Sequence, residues 1–180
     1  TVDDFEDRPV PDSLLQQAYE LARMAPTSAN CQPMRILFLR SPESRARIAP
    51  ALSSTNRDKT LRAPVTAIIA HDLAFPKTLA TLYRIPGAEH WFAGEDLIQE
   101  TAFRNGSLQG AYFILAARSV GLDAAPMSGF DNAKVDAEFF TGGAYGTWRS
   151  NFICNLGFGI TSSLPPRDPR PAFADACAII

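Results

Sequence analysis

The segment from Glu95 to Gly121 reads EDLIQETAFRNGSLQGAYFILAARSVG, and it predicts a single helix of about 26 residues. At about 1.5 Å per residue, this helix would be about 39 Å long. Acidic Glu95 and Asp96 suit the first turn of a helix, and Gly121 can adopt the left-handed conformation that ends one. The rest of the fold must pack around this element.

The second half of this predicted helix is apolar, because Gln109 is the only polar residue between Leu108 and Ala117. Such a stretch is expected to be buried on nearly all sides. Gly106 and Gly110 lie one turn apart and would let a second backbone come close. Two interpretations are open: a core helix within one subunit, or a central helix that also packs across a dimer axis. We favour the second.

Composition narrows the class of protein. The 180 residues predict one domain, residues 1–180, or one tightly interlocked dimer unit, and the net charge of -2 argues against a nucleic-acid partner. No apolar run reaches the about 18 residues that a membrane span needs. Three widely spaced cysteines, Cys31, Cys154 and Cys177, favour a reducing, cytoplasmic compartment over a disulfide framework. With two histidines and no close cysteine pair, we expect no metal site.

The remaining elements mix helix and strand irregularly. Apolar and β-branched runs predict strands at residues 34–39, 65–72, 122–126 and 151–158. Helical periodicity predicts helices at residues 13–24, 43–52 and 132–140, the last capped by Asp131. Segments 75–94 and 141–150 are predicted to be irregular. Because strands and helices do not alternate regularly, we predict an α+β fold, in which helices wrap a small, mostly antiparallel sheet.

Polar segments between these elements are the candidate binding sites. The loop Ala25–Pro33 carries hydroxyl and amide side chains between two prolines, although an ordinary connection would look similar. A helical turn would direct Asn56 and Lys59 the same way, although a solvated turn is the simpler interpretation. The turn Met127–Asp131 is expected to leave some backbone N–H groups without local partners.

Several familiar catalytic motifs are absent from the sequence. There is no G-x-x-x-x-G-K-S/T loop, and the lone G-x-G at Gly157–Gly159 lacks the third glycine of a dinucleotide-binding turn. Ser128 is not in a G-x-S-x-G elbow, and Cys31 has no histidine near it in sequence, so a packed thiol is the simpler interpretation. This scarcity of acid–base groups points to a cofactor that brings its own reactivity.

Four segments taken together resemble the FMN-dependent nitroreductase family: PTSANCQP (Pro26–Pro33), NRDK (Asn56–Lys59), PMSGFD (Pro126–Asp131) and LGFG…LPPRDPR (Leu156–Arg170). The likeness runs along nearly the whole chain. It is greatest to the branch that holds malonic semialdehyde reductase and proteins named NADH dehydrogenase or NAD(P)H nitroreductase. Each motif is weak alone, whereas their order and spacing together are specific.

The resemblance implies that FMN is bound by these residues: Pro26, Thr27, Ser28, Asn30, Asn56, Lys59, Pro126, Met127, Ser128, Gly129, Arg167 and Arg170. The first four would form the loop that one subunit presents to the flavin bound mainly by the other. The next two would hydrogen-bond the pyrimidine side of the isoalloxazine. The next four would form the turn against the flavin, with a backbone N–H aimed at N5, and the arginines would hold the phosphate. No side chain is expected to be catalytic, because flavin N5 is the reactive centre.

The function that the resemblance implies is a homodimeric FMN oxidoreductase working by ping-pong. NADH or NADPH would deliver hydride to N5, and a small aldehyde such as malonic semialdehyde, a nitro compound or a quinone would remove it. A flavin-binding storage or sensor protein without turnover is the alternative, and a hydrolase that uses Cys31 or Ser128 is a third hypothesis.

The sequence departs from the family pattern in two places. The family's N-terminal Arg-x-Ser-x-Arg/Lys motif has no equivalent after Thr1, so either that segment lies outside the given residues or FMN is bound more weakly. The glycine-rich loop Thr141–Ser150 looks longer than in the reductase branch, so it could reshape the substrate side.

Overall fold

A four-stranded antiparallel sheet forms the centre of the computed structural model, which describes residues 1–162 and 164–180. Ser163, inside the Leu156–Arg170 motif, lies outside the described residues. The strands follow the order β1-β2-β4-β3 across the sheet. Their bounds are β1 Met34–Leu39, β2 Val65–Asp72, β3 Asp123–Met127 and β4 Trp148–Gly157. The predicted α+β class is confirmed.

The described part of the chain contains seven α-helices. They are α1 Asp12–Ala22, α2 Pro42–Ile48, α3 Ser54–Arg62, α4 Leu79–Leu82, α5 Glu95–Ser119, α6 Asn132–Phe139 and α7 Phe173–Ala176. The long helix α5 is confirmed, and so is the cap of α6, where the Asp131 carboxylate accepts a hydrogen bond from Lys134 N. The helix predicted to run to residue 52 ends at Ile48, because Pro50 cannot donate to the helical ladder. None of the described helices is both long and apolar enough to cross a bilayer.

Strand β2 is buried along its whole length because both of its faces are covered. Ala67 and Ile69 belong to a core shared with α1 and α5. Ile68 and Ala70, which point to the opposite face, belong to a second core shared with α2 and α6. The fold is therefore a sheet between two helical layers.

Two glycines bring α5 into direct contact with the sheet. A Cβ atom added to Gly106 would lie 2.9 Å from the Cβ of His71 on β2. One added to Gly110 would lie 2.7 Å from the ring of Phe152 on β4. The close approach predicted for these glycines is thus made to the strands of the same chain.

One face of α5 is uncovered in the single chain. Leu108, Tyr112 and Leu115 on this face are 48%, 45% and 64% exposed. The prediction that the second half of α5 is buried on nearly all sides is therefore wrong within one subunit. The apolar composition of a helix face indicates that the face is buried against another surface. It does not indicate whether that surface belongs to the same chain or to a second one.

Strand β4 begins earlier than predicted. Trp148, Arg149 and Ser150 belong to a predicted loop, yet in the structure they pair with the end of β2. The register shifts between Ile69 and Ala70, so Asn151 is an extra residue in β4. This bulge interrupts the alternation of side chains along the strand. Because of this bulge and the glycines that precede it, the sequence pattern does not indicate where β4 begins.

The segment between β2 and α5, which is predicted to be irregular, contains the short helix α4 and has a small core of its own. Phe75 and Leu79 are fully buried, together with Cys31 and Ala102. Cys31 belongs to the loop before β1 and Ala102 belongs to α5. This third core therefore fastens the Ala25–Pro33 loop to the first half of α5.

His71 is a buried histidine beneath α5 whose charge affects stability. Its Nε2 lies 3.2 Å from the side-chain amide of Gln99, whereas its buried Nδ1 has no hydrogen-bond partner among the described residues. Burial lowers its pKa below the ordinary 6.5, a shift that Arg149 reinforces and that Asp136 and Asp72 oppose. The imidazole is therefore neutral in the folded protein at neutral pH.

Acidification should cost stability through His71. Below about pH 6.5 the unfolded chain protonates this histidine while the folded chain does not, so the free energy of unfolding falls by up to about 1.4 kcal/mol per pH unit until the folded pKa is reached. His71→Gln should remove this part of the pH dependence in urea titrations at pH 7.5 and 5.5. His90→Gln is the control, because the His90 side chain is 85% exposed. An unchanged pH dependence in His71→Gln would contradict the assignment.

Candidate functional site

The turn after β3 is fastened to the start of α3. The carbonyl oxygen of Gly129 accepts hydrogen bonds from Ser53 N at 3.0 Å and from Asn56 Nδ2 at 3.1 Å. The neighbouring residues Leu52 and Phe130 form an isolated antiparallel bridge. The structure therefore brings together two segments that the sequence singled out separately, the one that contains Asn56 and the one that contains Gly129.

A chain of buried polar side chains lies beneath this turn. Thr66 donates to Asn155 Oδ1 at 2.8 Å, and Asn155 Nδ2 donates to Thr60 Oγ1 at 3.3 Å. The Thr60 hydroxyl in turn contacts the sulfur of Met127 at 3.9 Å. Thr60, Thr66 and Asn155 are at most 1% exposed. Because satisfied buried polar networks resist rearrangement, α3 and the end of β3 form a rigid unit.

Gly129 and Pro126 suit their positions in this unit. A Cβ atom at Gly129 would lie 2.6 Å from Asn56 Nδ2 and 2.9 Å from Ser53 Oγ, so a larger residue would disturb the contact with Asn56. Pro126 is tolerated in β3 because this strand lies at the edge of the sheet. Ser128 and Gly129 are exposed, which leaves the outer side of the turn open to a ligand.

Lys59 supplies a positive charge one helical turn after Asn56. Its side chain is 22% exposed and its Nζ lies 3.1 Å from Asp3 Oδ1. Arg62 pairs in the same way with Asp4, at 2.8 Å. The Asp3 side chain is 66% exposed, so its ion pair with Lys59 is weak and an anionic ligand can compete for the lysine.

The loop Pro26–Asn30 forms a second, separate group. Pro26, Ser28 and Asn30 are exposed, and Thr27 is half-buried. No hydrogen bond among the described residues joins this loop to the Asn56–Gly129 unit. Within one chain, the structure thus does not bring these two groups of predicted flavin-binding residues together.

The predicted phosphate-binding arginines form a third group. Arg167 and Arg170 are exposed on the tail after β4. Arg170 donates to the carbonyl oxygens of Asp168 and Pro169, within its own segment. Neither arginine is hydrogen-bonded to the other two groups among the described residues.

Two residues that the motifs did not single out hold the Pro26–Asn30 loop in place. Asn105 and Gln109, both on α5, accept hydrogen bonds from Ser28 N at 2.9 Å and from Met34 N at 3.0 Å. One signal in the sequence could have indicated Gln109, because it is the lone polar residue of an apolar helical stretch. Asn105 gives no such signal.

Neither residue proposed for a hydrolase is activated in this structure. Cys31 is fully buried, and burial raises the pKa of its thiol to about 11, although a hydrogen bond from Thr27 works against that rise. Its thiolate is therefore negligible at neutral pH. Among the hydrogen bonds of the described chain, Ser128 has no histidine partner.

The model of the nitroreductase family matches residues 1–158, which is most of the chain. The chain belongs to the nitroreductase family. A protein of Burkholderia lata that carries the name NADH dehydrogenase/NAD(P)H nitroreductase is 54% identical over 176 residues, covering 97% of this chain and 89% of the relative. A protein of the same name from Stenotrophomonas maltophilia is 53% identical over 176 residues, covering 97% of this chain and 88% of the relative.

Solved structures of this family share the fold. A nitroreductase of Bacillus subtilis superimposes with a TM-score of 0.86 at 19% identity, covering 100% of this chain and 94% of the other. A nitroreductase of Exiguobacterium sibiricum, solved in complex with FMN, also gives a TM-score of 0.86, at 16% identity, covering 100% and 92%. At these identities the likeness establishes the architecture of the nitroreductase fold.

The three cysteines should differ sharply in reactivity. Cys31 and Cys154 are buried, with pKa values raised to about 11 and about 12, whereas Cys177 is exposed. At pH 7.5, we expect a disulfide-exchange reagent such as DTNB to label one thiol per native chain at once, and three after unfolding. Cys177→Ser should abolish the rapid phase. Fast labelling of Cys31 in that variant would revive the nucleophile hypothesis.

Proposed function

We propose that this member of the nitroreductase family is an FMN-dependent NAD(P)H oxidoreductase whose whole chain forms one flavin-binding domain. The observation that carries the proposal is the rigid unit in which Asn56, Lys59 and the exposed turn at Gly129 lie together. When bound, FMN accepts hydride from NAD(P)H and passes it to a second substrate. The family match, the names of the relatives and the FMN complex of the Exiguobacterium sibiricum protein support this function.

The unit offers the donors, acceptors and charge that a flavin ring requires. Asn56 commits its amide N–H to Gly129, and its carbonyl oxygen is an acceptor suited to the N–H of a pyrimidine ring. Lys59 stabilises negative charge on the reduced ring, and a charge-assisted hydrogen bond of this kind contributes about 1.5–3 kcal/mol. These residues therefore fit the cofactor by the chemistry of their side chains.

The turn and the tail complete the proposed site. Pro126, Met127, Ser128 and Gly129 present backbone to the ring, and a backbone N–H at N5 is a donor that needs no titrating side chain. Arg167 and Arg170 bind the phosphate, because a planar guanidinium can donate to two phosphate oxygens at once.

A homodimer would bring the separated loop to the site. Pro26, Thr27, Ser28 and Asn30 of one subunit contact the flavin bound mainly by the other. Two observations support this arrangement: the loop is not joined to the Asn56–Gly129 unit within one chain, and α5 exposes an apolar stripe, defined as Leu108, Tyr112 and Leu115. Contiguous exposed apolar surface of this kind marks an interaction site.

The electron acceptor is a small molecule: an aldehyde such as malonic semialdehyde, a nitro compound or a quinone. The scarcity of activated acid–base groups around the site favours an acceptor that can be reduced without them. Anaerobic titration of FMN-loaded protein with NADH or NADPH, followed by mixing with each acceptor, tests this proposal. Flavin that binds but is neither reduced nor reoxidised would indicate a storage or sensor protein instead.

The charge of Lys59 should matter to FMN far more than that of Arg62. Lys59→Met removes a charge-assisted bond, so we expect the Kd for FMN to rise about 10- to 150-fold in a fluorescence-quenching titration. Arg62→Met is the matched control, because both residues lie on α3 and each pairs with an aspartate of the N-terminal segment. Equal effects of the two substitutions would argue against a flavin contact at Lys59.

The apolar stripe on α5 should be required for association. Leu115→Glu places a charge on the stripe, and we expect light scattering to report a monomer with greatly weakened FMN binding. Leu21→Glu on α1 is the control, because Leu21 is similarly exposed, at 52%, but lies outside the stripe. A wild-type protein that is monomeric at micromolar concentration would contradict the dimer.

A further inference from the structure

Helix α5 carries two buried amide side chains that face the Ala25–Pro33 loop. Asn105 and Gln109 lie one turn apart and are 3% and 2% exposed. Burial of an amide is costly unless its donors and acceptors find partners. Here the acceptors find them in the loop and at the start of β1, so the two amides link α5 to this segment.

The two amides hold the segment at two points. Asn105 Oδ1 accepts from Ser28 N at 2.9 Å, while its Nδ2 donates to Thr101 O on the preceding turn at 2.9 Å. Gln109 Oε1 accepts from Met34 N at 3.0 Å. One amide therefore fixes the loop where it turns and the other fixes it where it enters β1.

Gln109 also reaches the middle of the loop through a relay. Its Nε2 donates to Gln32 Oε1 at 2.5 Å, and Gln32 Nε2 donates to Asn30 Oδ1 at 2.8 Å. Asn30 Nδ2 then donates to Leu82 O on α4 at 2.7 Å. Because each amide in the relay fixes the orientation of the next, Gln109 determines how Asn30 is presented.

The loop needs such support because its backbone is strained. Ala29, Asn30 and Gln32 have positive φ angles of 48°, 50° and 43°. Residues with a Cβ atom rarely adopt this left-handed conformation, and they keep it where the surroundings enforce it. Strained backbone held by buried partners is typical of segments that present groups to a ligand.

We propose that Asn105 and Gln109 are positioning residues of the flavin site, which hold the Pro26–Asn30 loop in its strained, binding-competent conformation. This inference rests on the proposed function, in that the loop contacts FMN. The two amides act through the loop and touch no cofactor themselves. Their loss should therefore weaken FMN binding beyond what any general loss of stability explains.

The test compares amide-deleting variants with a matched core variant of the same helix. Asn105→Leu and Gln109→Met keep the side-chain size but lose the hydrogen bonds to the loop. Phe113→Leu is the control, because Phe113 is fully buried on α5 and packs against Phe38 rather than against the loop. We expect the Kd for FMN to rise at least about tenfold in both amide variants, which corresponds to about 1.4 kcal/mol, and to change less than about twofold in Phe113→Leu.

A measurement without flavin separates this inference from the proposed function. In flavin-free protein, amide hydrogen exchange at Ser28 should accelerate at least about tenfold in Asn105→Leu, and exchange at Met34 should accelerate likewise in Gln109→Met. Wild-type protein that binds no FMN would refute the proposed function, while the exchange data would still test the anchoring. Wild-type protein that binds FMN, with amide variants that bind it equally well, would refute the positioning role alone.

A conservative variant covers the case in which Gln109→Met fails to fold. Protonated Gln109→Glu has one O–H donor and one acceptor, so it can reproduce the bonds to Gln32 and Met34. The ratio of its Kd for FMN to that of the wild-type protein at the same pH should be near one at pH 5.5. This ratio should rise at least about tenfold by pH 8.5, where the carboxylate can only accept hydrogen bonds. A ratio that does not change with pH would overturn the inference.

Discussion

The contact between α5 and the sheet is the constraint on which the rest of the structure depends. Gly106 and Gly110 lie against His71 and Phe152, and a Cβ atom at either position would push the helix away from β2 and β4. With the helix fixed at this distance, its faces have different neighbours. One face meets the sheet, another donates and accepts hydrogen bonds at the Ala25–Pro33 loop, and a third exposes the apolar stripe.

The elements that could be predicted from the sequence are those that local chemistry determines. The length of α5, the strands β1 and β2 and the Asp131 cap follow from side-chain periodicity and from residues adjacent in sequence. The start of β4 could not be predicted, because the bulge at Asn151 exists only in relation to β2. The exposure of Leu115 could not be predicted either, because an apolar sequence does not indicate whether the surface that would bury it belongs to the same chain.

In the candidate site too, sequence motifs identify individual residues, whereas the contacts between those residues are seen only in the folded structure. Family motifs singled out Asn56 and Gly129, but only the fold shows that one donates to the carbonyl oxygen of the other. Asn105 and Gln109 belong to none of the motifs. Amide side chains are common in long helices, and the role of these two depends on their hydrogen-bond partners in the Ala25–Pro33 loop and at the start of β1, which only the structure shows. The motifs also indicate the loop and the tail arginines, yet no hydrogen bond within the described chain joins either group to the Asn56–Gly129 unit, so the motifs alone do not predict how these groups are arranged.

The charges around the site explain why this fold suits chemistry carried by a cofactor. Two buried groups near the loop are neutral at neutral pH, since burial raises the pKa of Cys31 and lowers that of His71, while the buried Asp72 carboxylate is ion-paired with Arg35. In the Asn56–Gly129 unit the positive charge comes from Lys59, which pairs with the exposed Asp3, while Asn56 and Gly129 contribute an amide side chain and backbone. Such a site supplies hydrogen-bond donors, acceptors and a positive charge through groups that the fold holds in place. It can hold a ring in a fixed geometry beside a fixed positive charge, which is what stabilising an anionic, reduced cofactor requires.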